Sequence, residues 1–130
     1  MITEFSSHPT KIDPLYSSYR AICKEVYDGD TYTMLVDLGF HTYTTVRVRL
    51  NGVDTPELDA KDPTVKQAGV AVRDRMRQML IGQPCIIRTQ KDTQSFNRWV
   101  ADVYLVDSSG GSLNIAEYLL MENLAAPYIK

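Results

Sequence analysis

The stretch from Tyr19 to Leu50 constrains this chain most, because it is a run of strand-forming residues broken by only two turn signals. The first break is Asp28-Gly29, a dipeptide favoured where a type I′ hairpin turn needs positive φ at both central positions. "LGFH" (Leu38 to His41) makes the second break. "TYTTVRVRL" (Thr42 to Leu50) then alternates, with Val46, Val48 and Leu50 on one face and Arg47 and Arg49 on the other. Strands over 19–27, 31–37 and 42–50 therefore predict an antiparallel meander. Asp28 accounts for its first turn. The turn does not require the second acid, Asp30.

Beyond the meander, Asp62 suits a helix N-cap, Pro63 the first helical position and Gly82 the stop. Val65, Ala68, Val72, Met76 and Met79 recur at spacings of three and four and predict an apolar stripe. Cys85 to Thr89 and Arg98 to Val106 read as two more strands, Ser108 to Gly111 as a turn, and Ser112 as the cap of a short helix over 113–122. Three strands, a helix, two strands and a helix give an α+β, mainly β chain. This is the order of the five-stranded OB-fold barrel, with one helix between strands three and four and a short C-terminal helix. At 130 residues and 44% hydrophobic content there is material for one core. Residues 1–17, polar and carrying Pro9 and Pro14, are expected to form a loose arm ahead of a single domain over 18–130.

Composition narrows the chemistry. The first twenty residues lack a basic start followed by an apolar run, and no apolar stretch approaches a membrane span, so a cytoplasmic protein without a membrane partner is expected. Cys23 and Cys85 sit in apolar strands and read as free buried thiols. His8 and His41 have no second ligand at metal spacing. The chemistry is therefore left to carboxylates and guanidiniums. A net charge of -2 argues against binding nucleic acid by bulk electrostatics, but residues 61–98 carry +5 and the remainder -7. Arg73, Arg75 and Arg77 in that segment read as the solvated face of the first helix.

A second acidic turn, "NGVDTPE" (Asn51 to Glu57), follows the third strand directly. Pro56 fixes its own φ and holds Thr55 extended, so Asp54 and Glu57 stand on a stiff segment just beyond Arg49. In a meander the start of strand two lies near the end of strand three, which brings Asp30 toward Asp54. Two carboxylates converging at one barrel end call for a compensating cation, and an oxygen-only set suits a hard divalent ion.

"DGDT" (Asp28 to Thr31), "RLNGVDTPE" (Arg49 to Glu57), "FNRWVADVYL" (Phe96 to Leu105) and "LNIAEYLLMENLA" (Leu113 to Ala125) together resemble, in order and spacing, the signatures of the staphylococcal nuclease (thermonuclease) family. The resemblance implies that Asp30 and Asp54, with the backbone carbonyl of Thr55, bind Ca2+, with Mg2+ or Mn2+ as alternatives in an all-oxygen site. It implies that Glu57 serves the attacking water, and that Arg49 and Arg98 grip the scissile phosphate. Tyr128 stands near the family's base-stacking tyrosines. The implied activity is hydrolysis of phosphodiester bonds in DNA or RNA, leaving 3′-phosphate and 5′-hydroxyl ends. Three features depart from the pattern: Asn97 replaces a glycine before the second arginine, Asn123 replaces the glycine that stops the second helix, and the loop Lys91 to Asn97 lacks the lysine that sits near the nucleotide's terminal phosphate, Ser95 being the nearest equivalent. Asparagine is the next-best residue for left-handed backbone. The rival expectations are a nuclease-like domain that binds nucleic acid without cutting it, and a protein-interaction domain holding calcium structurally. Phe96, Trp99 and Tyr104 are further aromatics of stacking or core type.

Overall fold

The computed structural model describes residues 17–91 and 98–128. The expected arm over 1–17 lies outside the described residues except for Ser17, whose carbonyl accepts the Thr89 N–H at 2.9 Å.

Strands β1 (Ser18–Asp28), β2 (Thr31–Asp37) and β3 (Tyr43–Leu50) form the meander, followed by a two-residue strand, β4 (Val53–Asp54). Helix α1 (Pro63–Leu80) leads to β5 (Pro84–Lys91) and β6 (Arg98–Val106). β7 (Ser112–Asn114), helix α2 (Ile115–Met121) and β8 (Ala126–Pro127) complete the order. The main sheet runs β3-β2-β1-β5-β6-β7, and a further pairing of β3 with β6 closes its first five strands into a barrel. That closing pair is parallel, with Arg47 opposite Arg98 and Leu50 opposite Ala101, while its neighbours are antiparallel. Closure removes the sheet edges that an open meander would expose. Val26, Tyr32, Met34, Val48, Leu50, Ile87 and Val103 fill the interior, all at 1% exposure or less.

Helix α1 starts as its sequence dictates: the Asp62 carboxylate accepts the Thr64 N–H at 2.9 Å, and Pro63 follows. It ends before Gly82, which takes φ +79° and donates its N–H to the Cys23 carbonyl at 2.8 Å. The apolar stripe is shifted from the expected one. Val65 and Ala68 are exposed, and the buried positions are Gly69, Val72, Met76 and Leu80. Burial along α1 begins only at Gly69, which sits against the Pro56–Glu57 backbone. Arg77 is also more than a solvated residue, because its Nε donates to the Val26 carbonyl at 3.1 Å. Arg75 bonds the Tyr118 hydroxyl and so ties α1 to α2. Arg73 pairs with its neighbour Asp74 at 3.1 Å.

The second helix begins later than expected. Ser112 does not cap it; residues 112–114 continue the sheet against β6, and Asn114 is the cap, accepting the Glu117 N–H at 3.1 Å. Pairing Leu113 opposite Leu105 outweighs the capping preference of Ser112. Asn123 ends the helix at φ +58°, the left-handed geometry expected of it.

The type I′ expectation fails. Asp28 pairs with Thr31, so Gly29 and Asp30 are the central residues, and neither has positive φ. Gly29 is needed for space instead. A Cβ there would lie 2.6 Å from Val72 Cγ1 and 2.8 Å from Thr55 Cγ2. Gly29→Ala is therefore expected to destabilise by about 1–3 kcal/mol through overpacking. Combined with Val72→Ala, its loss should be clearly sub-additive in denaturant titrations, which a backbone-conformation cost would not produce.

Both cysteines are free and buried. Burial raises the Cys23 thiol to about 12, with Cys85 nearby adding to the effect, and raises Cys85 to about 11. The native chain should thus show no reaction with a thiol reagent at pH 8, both thiols becoming reactive only on unfolding.

Candidate active site

The β1–β2 turn is fixed from both sides. The Asp28 carboxylate accepts the Asp30 N–H at 3.0 Å, and the buried Tyr32 hydroxyl donates to the Gly29 carbonyl at 2.6 Å. The first residue of β2 pairs with Arg49, and Leu50 N–H donates to the Asp30 carbonyl at 2.8 Å. The second acid of the turn is thereby set against the end of β3.

Asp30 is only 6% exposed and its carboxylate is well supplied with donors. Oδ1 accepts the Thr31 hydroxyl at 3.3 Å, while Oδ2 accepts the Thr55 N–H at 3.1 Å and faces Arg49 Nη1 at 3.2 Å. A buried carboxylate persists in charged form only with such partners. Asp54, on β4, is far more open, and its Oδ1 lies 3.4 Å from Arg49 Nη2. One guanidinium therefore bridges both acids. It also donates to the Leu50 and Val53 carbonyls at 3.2 and 2.9 Å, so the end of β3 and the start of β4 fold around it. The Tyr128 ring covers it, with Cζ 5.5 Å from the centroid. Tyr128 reaches that place because β8 pairs with β4 and its own N–H bonds the Gly52 carbonyl at 3.0 Å.

Glu57 follows Pro56 on the exposed rim. Its backbone is seated on α1 at Gly69, where a Cβ would stand 2.7 Å from the Pro56 carbonyl oxygen and 3.1 Å from that of Glu57. A glycine inside a helix costs roughly 1 kcal/mol relative to alanine. Here it allows the Glu57 segment to sit directly on the helix surface. Sequence reasoning missed this role, and the only available signal was an unexplained glycine within an otherwise good helix.

Arg98 opens β6 opposite Arg47, on the same face as Arg49, because residues paired across parallel strands point the same way. Asp30, Arg49, Asp54, Thr55, Glu57 and Arg98 all line one cleft of about 310 Å³. Tyr27, Asp28 and Asp59 line it too, none of them a predicted site residue. The sequence assigns Asp28 only to the turn. Burial, and then the adjoining Asp30 carboxylate, push its carboxyl up to about 6. The cleft thus gathers the carboxylates of Asp28, Asp30, Asp54, Glu57 and Asp59 with the guanidiniums of Arg49 and Arg98. Of the other aromatics, Trp99 is 37% exposed, Tyr104 pairs opposite Ile86 within the sheet, and Phe96 lies outside the described residues, as does Asn97. A larger, mainly apolar groove of about 470 Å³ lies across β1, β2 and β5, and it contains none of the predicted site residues.

No helix among the described residues is long and apolar enough to cross a membrane. No curated protein matches the chain closely enough to count as a relative. The sequence profile of the family described as staphylococcal nuclease homologue matches residues 47–130, which include Arg49, Asp54, Thr55, Glu57, Arg98 and Tyr128. With more than half its length matched by that profile, and a mixed five-stranded barrel carrying the matched residues around one cleft, the chain belongs to the staphylococcal nuclease homologue family.

Proposed function

We propose that this chain is a divalent-cation-dependent nuclease that hydrolyses phosphodiester bonds in DNA or RNA, leaving 3′-phosphate and 5′-hydroxyl ends. The observation that carries the reading is the placing of Asp30 Oδ2 and Asp54 Oδ1 on a single guanidinium, in a cleft that also takes Glu57 and Arg98.

The donor set fits a hard cation. Asp30, Asp54 and the Thr55 carbonyl offer oxygen alone, and the Asp28 and Asp59 carboxylates line the same cleft. Among the described residues no three acidic, histidine or cysteine side chains form a closed cage, so most of the coordination shell would be left to water and phosphate. Such a set suits Ca2+, with Mg2+ or Mn2+ as alternatives. When bound, the ion supplies positive charge at the phosphate and acidifies its coordinated water.

The protein's own groups account for the rest. A phosphodiester is anionic and gains charge as water attacks, so donors must point at its non-bridging oxygens. Arg49 and Arg98 are suited to this because a guanidinium fork matches phosphate geometry and stays protonated. Arg49 is already oriented by two backbone carbonyls, which reduces the rearrangement needed when phosphate arrives. Glu57 has no ion pair among the described residues, so its carboxylate is open to accept a hydrogen bond from the attacking water. The seating of its backbone on α1 supports a defined place for that acceptor. Nucleic acid is then the partner, and the proposed setting is the cytoplasm.

Two measurements test this. Cleavage of labelled single-stranded DNA and RNA should require the divalent ion and stop with chelator. Glu57→Gln should slow it by roughly 10²–10⁴-fold and Arg49→Gln by roughly 10²–10³-fold. Intact oligonucleotide held in a stable complex with excess Ca2+ would sink the nuclease and favour a binding module. Independently of activity, Ca2+ at about 100 times its Kd should add about 2.7 kcal/mol of stability. The resulting rise in Tm should be abolished in Asp30→Asn and kept in Glu57→Gln.

A further inference from the structure

Tyr27 stands on the rim of the cleft for a reason that the barrel does not supply. Along β1 the register passes from Val26 opposite Tyr32 to Asp28 opposite Thr31, so Tyr27 is the extra residue of a β-bulge and pairs with nothing across that ladder. Bulges re-aim a side chain, and here the ring is 61% exposed although it lines the cleft. The Arg47 guanidinium lies over it, 5.7 Å from the centroid. Arg47 is itself exposed, two residues before Arg49 on the same strand face and directly opposite Arg98. Arg47 thus extends the face that bears Arg49 and Arg98 beyond the cleft, with one aromatic ring on Arg47 and another, Tyr128, on Arg49. Residues i and i+2 of a strand lie roughly 7 Å apart, comparable to the separation of successive phosphates in an extended single strand.

We propose that Tyr27 and Arg47 form a second nucleotide subsite, in which an unpaired base stacks on the tyrosine ring while Arg47 holds the phosphate next to the one at Arg49. The substrate it selects is a single strand, because a base within a duplex has both faces covered and cannot stack on a side chain. The inference rests on the nuclease reading for its biological setting, but binding can be measured without hydrolysis.

The test uses a fluorescein-labelled eight-nucleotide DNA strand, with chelator present to prevent cutting, and fluorescence anisotropy. Tyr27→Ala should weaken binding of the strand about tenfold, Tyr27→Phe should restore it to within about twofold, and binding of the corresponding duplex should change less than about twofold. Arg47→Gln should lower the slope of log K against log salt by about 0.7. In Ca2+, the Tyr27→Ala loss in kcat/KM should be larger on the eight-nucleotide strand than on a dinucleotide. Binding of the strand by Tyr27→Ala within twofold of the parent, or an equal loss on strand and duplex, overturns the subsite. A parent chain that binds the strand and never cuts it refutes the nuclease alone, leaving the anisotropy result to decide the subsite.

Discussion

The site depends on one buried carboxylate having a partner for each of its oxygens. Asp30 lies in the β1–β2 turn and is held by the Thr55 amide, the Thr31 hydroxyl and Arg49. Each partner comes from a segment that must be in place for the others to fit: β2, the loop after β4, and β3. Removing one partner from a buried ion pair commonly costs about 3–5 kcal/mol, because the remaining charge is left without compensation. The arrangement therefore couples the geometry of the site to the closure of the barrel. It also means that Arg49 serves two masters, neutralising Asp30 and Asp54 in the absence of a cation and facing phosphate in the proposed reaction.

Helix α1 sets the second constraint. It approaches the acidic loops closely at two points, Gly29 against Val72 and Gly69 against the Pro56–Glu57 backbone. Neither glycine is there for positive φ. Both remove a Cβ from an interface where the neighbouring atoms are backbone or β-branched side chains that cannot move away. The helix thus works as a rigid seat for the turn that holds Asp30 and for the loop that presents Glu57. Proline at position 56 stiffens the same loop from within, so local and tertiary restraints act together on one short segment.

Much of this could be read from local chemistry. The strand order, the caps at Asp62 and Gly82, the left-handed Asn123 and the two acidic turns follow from alternation, turn residues and helix punctuation over windows of a few residues. The association of Asp30 with Asp54 followed from topology, since a meander returns the end of its third strand to the start of its second. The failures share a different character. Ser112 reads as a cap in sequence because capping is a local preference, whereas pairing with β6 is not local and prevails. Val65 and Ala68 fall on the predicted stripe but are exposed, because periodicity shows that a helix has a face but not how much of its length is covered.

The sequence by itself determined the five long strands, the two helices, their order and the charged residue types flanking each turn, because these depend on neighbours along the chain, whereas the short strands β4, β7 and β8 exist only through their pairing. The tertiary structure alone decided that one guanidinium bridges two acids and that Asp28 is driven toward its protonated form. It also decided that a bulge turns Tyr27 into the cleft and that two glycines are required for space. Each of these is a contact or field between groups distant in sequence, set by distances of a few ångströms that no local propensity encodes.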